Sequence, residues 1–249
     1  EFQAFRNIAK VFETLDIEVE GYFPKVLPLS EAVLGDPEKQ EGSMILDIAD
    51  DATQLVLWKN GLLAGVRTLP MGGYYLTQCL AKDWNIEERD AEKVKEKFAT
   101  LDMQEQQSEE LVPLVTRNDK VRQSIPRKEF LEKFFKHAHG WMAKILESVD
   151  SFTQDEKVRY PHILFTGGAV MTDGFLEWVQ KEFSRDGKLG ATRHVEAPQE
   201  LVRDPSMAPA LGMFRWIMTY KRSQEALFTP RGFLAKTAAS ARAWFTNYF

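Results

Sequence analysis

Two short runs of the sequence carry the residue types that position a nucleotide in a protein. Asp47 lies in an apolar run, 44–48, that leads into a tight loop, and Gly167-Gly168 follows a second apolar run, 162–166. A turn after a strand can cradle phosphates with backbone N–H groups, and bare glycine backbone lets a nucleoside lie close to the chain. Two turns of these kinds are compatible with one cleft that receives a phosphate-bearing ligand.

The segments around these turns alternate strand and helix patterns. Asn60-Gly61 stands between two apolar runs, which is a strong hairpin signal because both positions tolerate positive φ. We therefore predict strands at 44–48, 53–58 and 62–69, followed by the turn Pro70-Met71-Gly72-Gly73. Other strands are expected at 17–23, 162–166 and 192–195. Helices are expected at 2–15, 30–34, 75–81, 87–99, 127–149, 173–183, 204–220 and 231–249, with a polar loop at 37–42. This order predicts an α/β fold with a mixed sheet and flanking helices.

Composition excludes several classes of protein. The chain has 249 residues, of which 44% are apolar and 28% charged, so it has enough apolar material for a buried core. Its net charge of −5 provides no global basic field for nucleic acid. Cys79, the one cysteine, cannot form an internal disulfide, which is typical of a reducing compartment. The chain begins at Glu1 within a helical pattern and without a signal-peptide order, so we expect that a front part precedes it.

The end of the chain differs from the rest in charge and pattern. From Thr219 onward it carries a balance of +4, whereas the preceding residues sum to −9. On a helical wheel the large apolar side chains of 231–249 share one face, which Lys236 and Arg242 flank. Those apolar residues are Phe233, Leu234, Trp244, Phe245, Tyr248 and Phe249. Such a face suits the headgroup boundary of a bilayer, and it also suits a helix docked on its own domain.

The order of the motifs resembles that of the FtsA family of bacterial actin-like cell-division proteins, over essentially the whole chain. Leu69 to Gly73 matches the family's Pro-x-Gly-Gly turn, and Glu92 with Lys95 falls where its Glu-x-x-Lys contacts ribose and base. Leu164 to Gly168, followed by Gly174, matches its adenosine motif. Asp204-Pro205 to Met213 matches the helix after the last strands. The closing segment resembles the membrane-targeting helix that ends FtsA chains.

This resemblance implies an actin-like ATPase (ribonuclease H-like) fold, of which the second half is present. It implies ATP with Mg²⁺ as cofactor, held by Asp47, Thr53, Gly72, Gly73, Glu92, Lys95, Gly167 and Gly168. Residues 1–28 would end a preceding subdomain. Residues 29–100 with 160–220 would form subdomain 2A, 101–159 the smaller subdomain 2B, 221–230 a linker, and 231–249 the membrane-targeting helix.

The sequence departs from the family at the second phosphate loop. The family has Asp-Ile-Gly-Gly-Gly-Thr there, and this chain has Asp47-Ile48 followed by Ala49, Asp50, Asp51 and Ala52. Two carboxylates at this position repel a triphosphate by roughly 1–4 kcal/mol each, although they could coordinate magnesium that offsets part of this. An exposed acidic loop is the alternative interpretation. We expect nucleotide binding to be weak or lost, and turnover weak or absent.

The resemblance also implies a function. It predicts an adaptor that tethers FtsZ filaments to the cytoplasmic face of the inner membrane, polymerises like actin and meets other division proteins at the septum. The long helix would receive the acidic tail of FtsZ through Arg127, Lys128, Lys133 and Lys136, although a solvated face explains each lysine equally well. A PilM-type protein of pilus assembly is one alternative. An ATP-using enzyme of the sugar-kinase and chaperone superfamily is another, and it needs a working phosphate loop.

Overall fold

The computed structural model describes residues 2–19, 21–102, 104, 110–117, 122–156, 160–193 and 195–228. The predicted closing helix, with the candidate membrane residues from Phe233 to Phe249, lies outside the described residues. In the described ranges the α-helices are α1 (Phe2–Thr14), α2 (Val26–Val33), α3 (Asp36–Glu41), α4 (Tyr74–Trp84), α5 (Glu88–Phe98), α6 (Arg127–Glu156), α7 (Phe175–Phe183), α8 (Gln199–Arg203) and α9 (Ala208–Phe228). The strands are β1 (Ser43–Ile48), β2 (Thr53–Lys59), β3 (Leu62–Leu69), β4 (Leu111–Val115), β5 (Arg122–Pro126), β6 (His162–Thr166) and β7 (Lys188–Leu189).

A five-stranded mixed sheet forms the centre of the fold, with strand order β3-β2-β1-β6-β7. Strands β1, β2 and β3 are antiparallel neighbours, whereas β1, β6 and β7 run parallel. The register pairs Ser43 with His162 and Asp47 with Thr166. Since parallel strands end at the same edge of a sheet, the turns that follow β1 and β6 lie side by side. The predicted mixed sheet is confirmed.

Strand β1 is buried along its whole length because both faces of the sheet are covered. Met44, Leu46 and Ile48 face a large core that α4, α5, α6 and α7 complete. Ile45 faces a smaller core on the other side, to which α2 and the start of α9 contribute. This two-sided burial explains why the sequence of β1 is a continuous apolar run.

The hairpin between β2 and β3 forms as predicted. Asn60 and Gly61 both have positive φ, 53° and 73°, which is the conformation that an Asn-Gly hairpin turn requires. Strand β3 is the edge of the sheet, and its Leu62 and Val66 side chains are exposed. The Asn60-Gly61 turn therefore accounts for the pairing of β2 with β3.

A second, two-stranded sheet was not predicted. Strands β4 and β5 pair antiparallel, and Val112 and Leu114 are buried while the residues beside them are exposed. A bridge from Ile86 to Thr116 ties this hairpin to the start of α5. Pro113 lies in β4, and a proline within a short apolar run argues against predicting that run as a strand. The hairpin forms because α5 and α6 supply the apolar surface that its buried face needs.

Several predicted elements were wrong. Residues 17–19 and 21–23 do not form a strand. Ile17 and Tyr22 are exposed, and none of the described strands lies beside them. The polar loop at 37–42 is helix α3, because the Gly35 N–H donates to the Glu38 carboxylate over 2.8 Å and caps it. Residues 192, 193 and 195 are not in a strand, and the sheet ends instead at β7. Helix α9 continues to Phe228, beyond the predicted end at residue 220.

Candidate functional site

A cleft of about 340 Å³ opens where the turns after β1 and β6 meet the helices α4 and α5. Its lining comes from five separate parts of the chain, and the parallel pairing of β1 with β6 brings the two turns together. The lining residues are Ala49, Asp50, Gly73, Leu76, Glu92, Lys95, Glu96, Ala99, Phe134, Gly168, Ala169, Met171, Thr172 and Asp173. Of the predicted site residues, Gly73, Glu92, Lys95 and Gly168 therefore line one cleft.

The loop after β1 is held by the start of α4. The N–H groups of Gly73 and Tyr74 donate to the carbonyl oxygens of Ala49 and Asp50, both over 2.9 Å. A Cβ at Gly72 would lie 2.1 Å from the Asp50 carbonyl oxygen, so only glycine allows this close approach. The Thr53 hydroxyl donates to the Met71 carbonyl over 2.7 Å. Gly72 and Thr53 thus fix the shape of the loop instead of lining the cleft.

The turn after β6 has two glycines with different roles. Gly167 has φ of +92°, and a Cβ there would lie 2.4 Å from the carbonyl oxygen of Ile48. Gly168 faces open space, with no heavy atom within 4 Å of the position of a Cβ. Gly167 therefore joins the two turns, and Gly168 leaves room in the cleft for a flat or bulky group.

Helices α4 and α5 place a hydrogen-bonded network on one wall of the cleft. The Lys95 ammonium lies 2.8 Å from the Glu92 carboxylate and donates to the Thr77 hydroxyl over 2.8 Å. It also reaches the Gly73 carbonyl at 3.3 Å, and the Thr77 hydroxyl donates to Glu92. The three donors of Lys95 are thus already engaged by groups of the chain itself.

The charged groups that line the cleft are mostly acidic. Asp50, Glu92, Glu96 and Asp173 face one ammonium, that of Lys95, which Glu92 already neutralises. Burial raises the pKa of Asp50, and the nearby Glu92 carboxylate raises it further. The cleft therefore favours neutral or cationic groups over anions.

Two of these acidic residues were missed in the sequence. Glu96 stands four residues after Glu92 on the same helical face, so the helical period was a usable signal for it. Asp173 lies in the turn before α7, and no local pattern connects it with α5. Asp173 reaches the cleft because it belongs to the segment after β6, of which Gly168, Ala169, Met171 and Thr172 also line the cleft.

Asp47 lies outside the cleft lining, on the opposite face of β1. Its side chain is 3% exposed, and its carboxylate forms an ion pair with the Lys25 ammonium over 2.5 Å. Lys25 precedes α2, and the sequence held no signal for this pair because the two residues are in separate elements. The resemblance placed Asp47 at the nucleotide, but its contact here is with Lys25.

The four candidate cations on α6 differ in their surroundings. The Arg127 Nε donates to the Phe98 carbonyl over 3.3 Å, and its guanidinium lies 3.6 Å from Glu110. The Lys133 ammonium lies over the Trp84 ring, 4.6 Å from its centre. Lys128 and Lys136 are exposed. Two of the four cations thus already contact groups of the chain, and two are exposed.

The described residues include no group of three or more His, Cys, Asp or Glu side chains that could hold a metal ion. Among the described helices there is also no stretch with the length and hydropathy that a membrane span needs. The cleft after β1 and β6 is thus the candidate functional site of the described part of the chain.

The fold with this cleft is that of actin-like ATPases. MreB5 of Spiroplasma citri bound to AMPPNP has a TM-score of 0.66 and 16% sequence identity, covering 91% of this chain and 66% of that one. A MamK double helical filament gives a TM-score of 0.58 at 16% identity, covering 78% of this chain and 58% of that one. The PilM–PilN type IV pilus biogenesis complex gives 0.56 at 15% identity, covering 83% and 57%. At these identities the likeness shows the fold alone.

Within that class the sequence points to one family. Residues 44–212 match the family model described as cell division protein FtsA, and the chain belongs to this family. FtsA of Neisseria meningitidis is 22% identical over 210 residues, which are 84% of this chain and 51% of the relative. FtsA of Bacillus subtilis is 21% identical over 225 residues, 88% of this chain and 48% of the relative. The chain thus spans about half the length of these curated relatives.

Proposed function

We propose that the chain acts in bacterial cell division as an adaptor that tethers FtsZ filaments to the cytoplasmic face of the inner membrane. The observation that carries this proposal is the family match over residues 44–212, which includes β1, the cleft and the start of α9. The adaptor would self-associate as an actin-like polymer and meet other division proteins at the septum. The likeness to a MamK double helical filament supports self-association.

The membrane part of the proposal rests on the sequence of 231–249. If four or five of its six large apolar side chains were buried in lipid, each would contribute at most ~1.5–3 kcal/mol before the cost of immobilisation is subtracted. Lys236 and Arg242 would add ~1 kcal/mol each near anionic headgroups. Single chains would therefore attach reversibly, and a polymer would attach more firmly through avidity.

We further propose that the cleft receives a nucleoside and does not hold a triphosphate. Gly168 leaves open space, and Leu76, Phe134 and Met171 give the cleft an apolar part on which a base can lie. At the other end, the Asp50 carboxylate lines the cleft, the Ala49 N–H already donates to the Ala52 carbonyl over 3.1 Å, and the Lys95 ammonium is engaged. The residues present do not fit a chain of phosphates, so turnover of ATP is expected to be weak or absent.

The acidic tail of FtsZ is the proposed ligand of the helix α6. Among the four candidate cations, Lys128 and Lys136 are exposed and available to an acidic peptide. Arg127 and Lys133 contact groups of the chain itself, so their part in the contact would be indirect. We therefore propose that Lys128 and Lys136, and not all four cations, contact the acidic tail directly.

A PilM-type function in pilus assembly is the alternative that the fold allows. The PilM–PilN complex shares the architecture at 15% identity, whereas the family model that matches is that of FtsA. If the chain bound a pilus inner-membrane peptide and not the FtsZ tail, the alternative would replace the proposal.

Vesicle co-sedimentation tests the proposal. The whole chain is mixed with purified FtsZ and vesicles that contain phosphatidylglycerol, and FtsZ is expected in the pellet only when chain and vesicles are both present. The variant Trp244→Glu with Phe245→Glu should lose the pellet, because two charges then stand on the apolar face. The control Leu62→Glu changes an exposed side chain of β3 and should sediment like the unmodified chain. Equal sedimentation of the tail variant would contradict membrane attachment.

A further inference from the structure

Helix α9 has one face that is packed and one that is open. On the packed face Ala208 and Leu211 are buried, and a Cβ at Gly212 would lie 1.9 Å from the carbonyl oxygen of Pro28 in α2. On the open face Phe214 is 66% exposed and Met218 61% exposed. Ile217, between them, is also exposed. These three residues form an apolar stripe that no described part of the chain covers.

The chain itself carries a segment that fits this stripe. Helix α9 is described to Phe228, and the sequence places Pro230 shortly after it, where a proline disfavours continuation of a helix. The amphipathic segment 231–249 follows after two residues in the sequence, and two residues are enough to join a pair of antiparallel helices. Since α9 has 21 residues, a returning segment 231–249 would run along nearly all of it.

The register of such a hairpin places apolar residues opposite each other. If the chain reversed at residues 229 and 230, Ala241 would lie opposite Met218, and Phe245 would lie opposite Phe214. Phe245 and Ala241 share the apolar face of the segment, with Trp244 beside them. The apolar pairs Met218–Ala241 and Phe214–Phe245 would thus lie several helical turns away from the reversal.

We propose that the stripe of Phe214, Ile217 and Met218 is the docking site of the chain's own segment 231–249 when no membrane is present. The inference rests on the proposed membrane function, because the same apolar face would enter lipid. Docking and membrane insertion are then mutually exclusive, and vesicles shift the population from one state to the other. The sequence puts Lys221 and Glu225 at the next positions of the stripe, so the docked contact is limited in area and reversible.

Disulfide trapping in the whole chain tests the docking. In a Cys79→Ser background, Met218→Cys with Ala241→Cys should form a disulfide within one chain under mild oxidation. The control pair is Met218→Cys with Ala239→Cys, since residue 239 lies close to residue 241 along the segment but about 160° around the helix from it. The first pair should give a severalfold higher yield than the control. Equal yields, or a disulfide only between two chains, would overturn the proposal, and the second outcome would identify another copy as the occupant.

Vesicles separate this proposal from the membrane function. Phosphatidylglycerol vesicles should lower the yield of the first pair severalfold, and Phe214→Ser with Met218→Ser should strengthen vesicle binding severalfold because the docked state no longer competes. The matched control, Leu62→Ser with Val66→Ser on β3, should leave vesicle binding unchanged. A disulfide without vesicle binding would support docking and contradict membrane attachment. Vesicle binding without the disulfide, and without a gain in the α9 variant, would support attachment and overturn docking.

Discussion

Lys25 and Asp47 form an ion pair of 2.5 Å at the carboxyl end of β1, on the face of the sheet that lies away from the cleft. The Asp47 side chain is almost fully buried, whereas that of Lys25 is 42% exposed. A buried carboxylate needs a partner to remain charged, and here the chain supplies the cation itself. The charge of Asp47, which the resemblance assigned to nucleotide binding, is thus neutralised by Lys25 of the same chain.

Removing the cation should destabilise the fold. Lys25→Met is expected to lower the free energy of unfolding by ~1–3 kcal/mol, since it leaves the Asp47 carboxylate buried without a counter-charge. Urea denaturation at neutral pH measures this loss. The double variant Lys25→Met with Asp47→Asn should recover most of it, because a neutral amide needs no counter-charge. If the double variant were as unstable as the single one, the ion pair would not be the cause.

The two neighbouring glycines after β6 should respond differently to alanine. Gly167→Ala is expected to lower the free energy of unfolding by roughly 2–4 kcal/mol, because the new Cβ would enter the Ile48 carbonyl at a positive φ. Gly168→Ala is the matched control and should leave stability nearly unchanged, since its Cβ would face open space. Thermal denaturation of both variants checks this. Similar losses of stability in the two variants would contradict the proposed role of the Ile48 carbonyl.

Glu38 should make stability depend on acid. Burial would raise the pKa of Glu38, but the Gly35 N–H and the Arg193 guanidinium outweigh it and hold the pKa below the ordinary 4.5. The charged form is therefore favoured by folding, and its contribution is lost as the pH falls through the lowered pKa. The difference in melting temperature between the unmodified chain and Glu38→Gln should be largest at neutral pH and shrink in acid. Glu200→Gln, at an exposed position of α8, is the control and should show no such trend.

Asp50 should have the opposite effect on stability. Burial and the Glu92 carboxylate raise the pKa of Asp50 above the ordinary 3.8, so the fold disfavours its charge. The contribution of Asp50 to the free energy of unfolding is fully present in acid, and it is lost as the pH rises through the raised pKa. Asp50→Asn is therefore expected to melt at a higher temperature than the unmodified chain at neutral pH, with the gap closing in acid. A lower melting temperature of Asp50→Asn at neutral pH would contradict this.

The same substitution tests the proposed selectivity of the cleft. Asp50→Asn should raise the affinity for ATP with magnesium about tenfold, since a partly screened charge at contact costs on the order of 1 kcal/mol or more. The affinity for adenosine, which carries no phosphate, should stay the same. Isothermal titration calorimetry of both ligands measures the difference. An unmodified chain that binds ATP more tightly than adenosine would refute the proposed loss of the phosphate site.

The sequence predicted the central strands and part of the cleft. Strands β1 to β3 and β6 follow from apolar runs and from Asn60-Gly61, whose signals lie within a few residues. Gly73, Glu92, Lys95 and Gly168 were predicted as site residues, and the structure places all four in the cleft lining. The β4–β5 hairpin was missed because its strands are short and each holds a proline, so its formation depends on the helices that it packs against.

The sequence by itself determined the strand pattern, the glycines of the two turns and the amphipathic pattern of 231–249. Each of these is written in neighbouring residues, whose spacing sets which side chains share a face. Only the tertiary structure decided that Asp47 pairs with Lys25 and that Asp173 joins Glu92 and Glu96 around one cleft. Such contacts depend on the path of the chain through the sheet, above all on the parallel pairing of β1 with β6, and no local period encodes that path.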